Sequence, residues 1–179
     1  VHKITIVPRG RALGYTMSIP DEDKFLVSRN EMYDELAVFL GGRVAEEIFC
    51  GDITTGASND LERATKMARQ MVVNYGMSDA LGQQTFGQPN HEVFLGRYYG
   101  NTQDYSPETA QLIDEEVARL MKQAHDTAYE ILSQRADQMH TMAEVLLDRE
   151  TVDGAACEAL LRRDAELPAA CGGLSAYAP

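Results

Sequence analysis

The segment that most constrains the fold of this chain is the run of residues 54–65, TTGASNDLERAT. Small and polar residues lead into it, and the apolar residues that follow keep the 3.6-residue period of a helix up to about Tyr75. Gly76 is typical of the position just after a helix C-terminus. The pattern therefore predicts a helix over 59–75 with the carboxylate of Asp60 in its first turn.

The remaining patterns predict a mainly α-helical chain with one small β-hairpin at its N-terminus. Residues 1–20 alternate apolar and polar side chains around a turn-like PRGR run at 8–11, which favours two short strands. Ser28 and Glu31 have the spacing of a capping box, and helical periodicity then continues to Gly51. That long helix contains Gly41 and Gly42, which we expect to pack closely against another backbone, since each glycine costs roughly 1 kcal/mol relative to alanine.

Three more helices are predicted in the C-terminal half. Ser106 and Pro107 are the expected N-cap and first residue of a long helix, a shorter helix follows around 139–146, and a last helix is predicted to begin at Thr151. Residues 76–105 show no periodicity and predict a long, mobile loop. From Asp164 onward the composition predicts a disordered tail.

Composition narrows the functional classes. The chain has 179 residues, 44% hydrophobic content and a net charge of −12. This acidity argues against nucleic acid or an anionic membrane surface as a partner, because those surfaces bind clustered Lys and Arg. No apolar stretch approaches the roughly 18 residues of a membrane span, so the chain itself is expected to be soluble. Three cysteines without a CxxC spacing indicate reduced thiols, and a start at Val1 within a strand pattern suggests a piece of a longer protein.

Three motifs resemble the protease domain of the FtsH family, the membrane-anchored AAA zinc metalloproteases. They are PRGRALGY at 8–15, GGRVAEE at 41–47 and the run at 54–65. The resemblance covers residues 1–163 and implies a helical FtsH-type peptidase domain there, with 164–179 as a tail outside it. The length of these motifs makes chance a poor explanation.

The resemblance implies that Asp60 is the third ligand of a catalytic zinc. The family's other two ligands are the histidines of an HExxH helix, whose glutamate is the general base, and no HExxH occurs in this sequence. No catalytic residue is therefore expected in this chain, its zinc site is expected to be incomplete, and the piece alone is expected to be inactive. Read from its position only, Asp60 is better explained as a helix-start residue that interacts favourably with the helix dipole, and it is the match of the whole run at 54–65 to the family's motif that favours the ligand role.

Further site residues follow from the same resemblance. Glu46 or Glu47 could accept a hydrogen bond from the second ring nitrogen of a zinc-ligating histidine. The simpler interpretation is that each of them lies on a solvent-exposed face of its helix. The N-terminal hairpin adjoins the active site in the family, so its edge is a candidate for binding an extended substrate strand, with these residues on it: Ile4, Ile6, Leu13 and Tyr15. The histidines at 2, 91, 125 and 140 have no ligand spacing and are interpreted as structural or surface residues.

The expected function is that of one part of an ATP-dependent zinc metalloprotease. The resemblance implies a homo-hexamer in the intact protein, with misfolded membrane and soluble proteins as substrates. It also implies a place on the cytoplasmic face of the bacterial inner membrane, or on an organellar membrane. The chain has no GxxxxGK[ST] run, so ATP would bind only in an ATPase module outside it. The alternatives are a catalytically dead helical module for ring assembly or partner binding, and an unrelated acidic α-helical regulatory domain.

Overall fold

The computed structural model of the chain describes residues 1–8, 10, 14–18, 26–87 and 105–162. These residues form two compact units. The helical unit comprises residues 26–87 and 105–134, and the sheet unit comprises the described residues of 1–18 and 135–162. Most of the loop predicted over 76–105 and all of the tail predicted after 164 lie outside the described residues.

The helical unit consists of α1 (Arg29–Ala45), α2 (Ser58–Val73) and α3 (Pro107–Gln134). At the start of α1, the Glu31 amide donates to Ser28 Oγ at 3.3 Å and the Ser28 amide donates to Glu31 Oε2 at 2.8 Å. At the start of α3, the Thr109 amide donates to Ser106 Oγ at 3.2 Å. The capping box and the N-cap predicted from the sequence are therefore confirmed, because local side chains satisfy the free amides of each first turn.

The core of the helical unit lies where α1 packs against both α2 and α3. Two alanines of α2, Ala64 and Ala68, have no exposed surface, and their small side chains let the helices approach closely. Burial of a large apolar side chain contributes about 1.5–3 kcal/mol. Six of them are almost completely buried here: Leu36, Val44, Met71, Val72, Ile113 and Leu120.

The sheet unit contains β1 (Lys3–Thr5), β2 (Tyr15–Met17), α4 (Ala136–Arg149), β3 (Thr151–Asp153) and α5 (Gly154–Leu161). Both β2 and β3 pair antiparallel with β1, giving the strand order β2-β1-β3. The predicted pairing of two N-terminal strands and the mainly helical fold class are confirmed. Met142, Val152, Ala156 and Cys157 form the buried core of this unit, and burial raises the pKa of the Cys157 thiol.

The prediction that a helix begins at Thr151 is wrong. Thr151 lies in β3, opposite Thr5 of β1, and the two hydroxyl oxygens are 2.8 Å apart. The last helix begins three residues later, where the carboxylate of Asp153 accepts a hydrogen bond from the Ala156 amide at 2.8 Å. Gly154 is needed at this junction, because a Cβ there would lie 2.5 Å from the carbonyl oxygen of Val1.

A buried carboxylate joins α3 to the turn that follows α2. Glu116 is only 8% exposed, and its Oε2 accepts a hydrogen bond from Ser78 Oγ at 2.7 Å. Arg119 donates to the same carboxylate from Nε and Nη2, at 2.9 and 3.0 Å. The Arg119 guanidinium and, to a smaller extent, the Ser78 hydroxyl hold the pKa of Glu116 below its ordinary value. Its charge is therefore compensated inside the fold.

Within the described part of the chain, no helix combines the length and the apolar character that a bilayer-spanning helix requires.

The glycine pair of α1 gives a first testable prediction. A Cβ built on Gly41 or Gly42 would meet no described atom within 4 Å, so no described segment packs closely there. We expect each substitution, Gly41→Ala and Gly42→Ala, to raise the free energy of unfolding of this chain by about 0.5–1 kcal/mol, because alanine loses less backbone entropy in a helix. Chemical denaturation measures this. Gly154→Ala is the control and should destabilise the chain. A loss of stability in Gly41→Ala or Gly42→Ala would contradict the conclusion that no described segment packs closely against these glycines.

The buried carboxylate gives a second prediction. We expect Glu116→Ala to lower the free energy of unfolding by about 1–3 kcal/mol, because the buried Ser78 hydroxyl loses its acceptor. Glu115→Ala is a matched control, since Glu115 is exposed on the same helix and should change stability by less than about 0.5 kcal/mol. Equal effects of the two substitutions would show that the Ser78 contact contributes nothing.

The effect of Glu116→Ala should also depend on pH. The pKa of Glu116 is lower in the folded chain than its ordinary value of 4.5, so its contribution is fully present above that value. It is lost as the pH falls through the folded pKa. The stability difference between the parent chain and Glu116→Ala should therefore shrink in acid, and a constant difference would contradict the assigned pKa direction.

Candidate metal centre

The segment between α1 and α2 determines where Asp60 lies. After α1 the chain makes one π-helical turn, Glu46–Cys50, which ends at Gly51 in the left-handed conformation with φ 67°. It then enters a 3-10 turn, Thr55–Ala57, that runs directly into α2. Asp60 occupies the first turn of α2, as the sequence predicted.

Thr54, at the start of that 3-10 turn, is held by the end of α1. Its carbonyl oxygen accepts a hydrogen bond from Arg43 Nη1 at 2.8 Å. Its amide and its hydroxyl donate to the two carboxylate oxygens of Glu46, at 3.0 and 2.6 Å. The hydroxyl also accepts from the Gly56 amide at 3.1 Å, so every polar group of Thr54 has a partner. We call Arg43, Glu46 and Thr54 together the Thr54 clamp.

The Thr54 clamp stabilises the ionised form of Glu46. Hydrogen bonds from the hydroxyl and then from the amide of Thr54 lower the pKa of the Glu46 carboxyl below its ordinary value, with a smaller contribution from the positive charge of Arg43. Hydrogen bonds to the charged form of an acid favour that form and so lower its pKa. Glu46 is thus a structural anion that orders the loop before α2.

The carboxylate of Asp60 is accessible. Its side chain is 49% exposed, and its ion pair with Arg63 is long, with Arg63 Nη1 4.0 Å from Asp60 Oδ1. Arg63 is itself drawn toward Phe39, with its guanidinium carbon 4.4 Å from the ring centroid. An exposed ion pair at this distance contributes little, so the Asp60 carboxylate can bind a cation without loss of a strong contact.

Glu47 points to a different partner. Its Oε2 lies 3.1 Å from Nε2 of His125 on α3, and the other ring nitrogen of His125 lies 3.4 Å from Asp126 Oδ1. The imidazole also stacks on Tyr129, with ring centroids 6.2 Å apart. The sequence interpretation missed this contact, since 78 positions separate Glu47 from His125 and no local spacing signals it.

The donor set fits zinc only in part. Across the described ranges, no three His, Cys, Asp or Glu side chains are grouped closely enough to hold a metal ion. Asp60 supplies one accessible carboxylate on a rigid helix, which is suitable as one ligand, whereas tetrahedral zinc sites use three or four protein ligands. The residues present therefore fit one ligand of a zinc site and not the whole site.

The predicted substrate-binding edge needs a correction. Ile4 lies in β1, which is the central strand because β3 pairs with its second side, and the Ile6 amide donates to the carbonyl of Glu150 at 3.0 Å. Neither residue belongs to an open edge. Tyr15 lies in β2, an outer strand of the described sheet, and Leu13 lies outside the described residues.

Most of this chain is similar in sequence to known proteins. The model of peptidase family M41 matches residues 1–160. The chain is 88% identical over 161 residues to the ATP-dependent zinc metalloprotease FtsH of Slackia heliotrinireducens, an alignment that covers 90% of this chain and 21% of that protein. It is 47% identical over 167 residues to the protein of the same name from Thermotoga maritima, covering 93% of this chain and 27% of the relative.

The chain thus spans about a fifth to a quarter of the length of the curated relatives it matches. The family model covers both the Thr54 clamp and Asp60, together with the strands and the helices of the described structure up to the last residue but one of α5. On this match, the chain belongs to peptidase family M41.

Proposed function

We propose that this chain is part of the proteolytic domain of an ATP-dependent zinc metalloprotease, with Asp60 as one zinc ligand. The observation that carries the proposal is the accessible carboxylate of Asp60, held in the first turn of α2 behind an ordered loop. Relatives that bear the name ATP-dependent zinc metalloprotease support it. Zinc, when bound, would polarise the scissile carbonyl and lower the pKa of a water molecule to about 7.

The residues of this chain would hold the zinc and the substrate in place, and none of them would take part in bond breaking. Asp60 would contribute a negatively charged oxygen ligand, which a divalent cation prefers. Glu46 would order the loop that leads to Asp60. The outer strand β2 with Tyr15 would offer its backbone to an extended substrate by strand addition, with Leu13 next to it in sequence.

Glu46 and Glu47 remain candidates for holding a ligating histidine. Glu46 already accepts hydrogen bonds on both carboxylate oxygens, and each oxygen can accept a further one. Glu47 contacts His125 with one of its two oxygens. Which of the two carboxylates faces the metal would follow from the position of the HExxH helix.

The wider activity belongs to a longer protein. We propose that it forms a homo-hexamer, that an ATPase module binds ATP, and that unfolded membrane and soluble proteins are its substrates at the cytoplasmic face of a bacterial membrane. The name of the relatives, of which this chain spans only part, supports the ATP dependence. The hexamer, the substrates and the location rest on the resemblance to the FtsH family.

A second candidate function is a catalytically dead helical module for ring assembly or partner binding. Two observations favour it. The described residues hold no group of three metal-binding side chains. In addition, Val38 is 74% exposed on α1, next to the open surface of Gly41 and Gly42. The metal experiments below separate the two functions.

The first metal experiment uses the 179 residues alone. We expect this chain to bind zinc weakly, to cleave no unfolded protein, and to melt at the same temperature with and without a chelator, because a single carboxylate does not make a zinc site. Equilibrium dialysis with zinc, a casein digestion assay and thermal unfolding measure these properties. Tight zinc binding or a chelator-sensitive melting temperature would contradict the ligand count.

The second metal experiment uses a longer protein that joins an HExxH helix to this chain. It should hold about one zinc per chain, and Asp60→Ala should sharply reduce both zinc retention and peptide hydrolysis, because a catalytic site uses three protein ligands. Asp60→Asn keeps the size and removes the charge, so it should reduce both as well. Glu62→Ala is the matched control, since Glu62 is an exposed carboxylate on the same helix. Full zinc and full hydrolysis in Asp60→Ala would reject Asp60 as a ligand.

A further inference from the structure

The Thr54 clamp holds Thr54, which immediately precedes the 3-10 turn leading into α2 and Asp60. Only the 3-10 turn Thr55–Ala57 and the first two residues of α2 separate Thr54 from Asp60. Because these residues form continuous helical turns, a displacement of Thr54 is passed on to the start of α2. The position of Thr54 against α1 therefore helps to set the position of the Asp60 carboxylate.

The two side chains of the clamp bind Thr54 with opposite charges. Arg43 and Glu46 are three positions apart, so they lie on the same face of their helix. The cation donates to the carbonyl of Thr54, and the anion accepts from its amide and its hydroxyl. Each of these three hydrogen bonds includes a charged group, which makes it stronger than a bond between neutral groups. The arrangement fixes both the location and the direction of one peptide unit.

Gly56, two residues after Thr54, also helps to fix the position of the threonine. A Cβ on Gly56 would lie 3.2 Å from Thr54 Oγ1 and 3.7 Å from Glu46 Oε1. The Gly56 amide meanwhile donates to Thr54 Oγ1. The absence of a side chain at position 56 thus lets the loop close on the clamp without displacing the threonine hydroxyl.

The Thr54 clamp is exposed to solvent. We therefore expect it to affect the position of the loop more than the stability of the fold. All four of its hydrogen bonds lie at the surface. Surface interactions between charged groups contribute only about 0–1 kcal/mol to folding. The core of the helical unit holds α1 and α2 together in their absence, so removal of the clamp should loosen the loop and leave the fold intact.

We propose that Arg43 and Thr54 are positioning residues for the metal-binding carboxylate of Asp60, an inference that rests on the proposed zinc site. Neither residue is expected to touch the metal or the substrate. Their effect reaches the metal through the loop and the first turn of α2. Partners that hydrogen-bond a metal ligand directly change metal affinity by about 10–100-fold when they are substituted, and we expect Arg43 and Thr54, which act through the loop, to lie at the lower end of that range.

The test measures zinc affinity in the full-length protein by competition with a chelator. Arg43→Ala and Thr54→Val should each weaken zinc binding by about tenfold, the lower end of the range for direct partners of a ligand, with little change in melting temperature. Thr54→Ser, which keeps the hydroxyl, should restore the affinity. Arg69→Ala is the matched control for the loss of a surface arginine, because Arg69 forms an ion pair with exposed Asp114 on α3 and should leave zinc affinity unchanged.

A metal-free measurement gives a second readout. In the 179-residue chain, Arg43→Ala should accelerate hydrogen exchange at the amides of Thr54 and Gly56, while exchange in the centre of α2 stays the same. Arg69→Ala should accelerate neither amide. A merely structural role of Arg43 would instead lower protection throughout the helical unit.

Asp60→Ala, measured in parallel, separates the two proposals. If it loses zinc while Arg43→Ala and Thr54→Val keep the parent affinity, the positioning role is rejected and the zinc site stands. If Asp60→Ala itself keeps the parent affinity, the proposed function fails. Loss of affinity in Arg69→Ala equal to that in Arg43→Ala would also overturn the positioning role, since the effect would then follow from net charge.

Discussion

The packing of one face of α1 against both α2 and α3 is the interaction on which the helical unit depends. Leu36 and Val44 of α1 have no exposed surface, and Ala64 and Ala68 of α2 allow the close approach that buries them. This packing holds the C-terminal part of α1 in place, since Val44 is buried there. The end of α1 in turn presents Arg43 and Glu46 to the loop, so a candidate metal ligand is positioned by a hydrophobic core through a short polar connection.

Local patterns were sufficient to predict where α1, α2 and α3 begin, within a residue or two. The capping box at Ser28, the N-cap at Ser106 and the apolar period of α2 each depend on residues within a few positions of one another, and each is confirmed. The first-turn position of Asp60 follows from the same local signals. The role of Asp60 as a ligand came from the resemblance of whole motifs, because one carboxylate at a helix start has no chemistry that distinguishes it.

Contacts between distant residues were not predictable in this way. β3 is three residues long, too short to show a period of two, and its pairing with β1 joins positions almost 150 apart. The hydrogen bonds between Ser78 and Glu116 and between Glu47 and His125 join residues 38 and 78 positions apart, so they depend on how the helices pack. The Thr54 clamp was missed for a related reason, since regular helical spacing does not anticipate a π-helical turn after Ala45.

That π-helical turn has a consequence for the evolution of chain length. A π-helical turn is an α-helix that has received one additional residue, and each residue of a regular helix rotates the chain by about 100°. Deletion of any one residue between Glu46 and Cys50 would therefore convert the turn into regular α-helix and leave the direction in which the chain exits at Gly51 nearly unchanged, whereas a deletion within α1 itself would rotate that exit by about 100°. The turn is thus the part of this helix at which a change in length of one residue disturbs the path to α2 least.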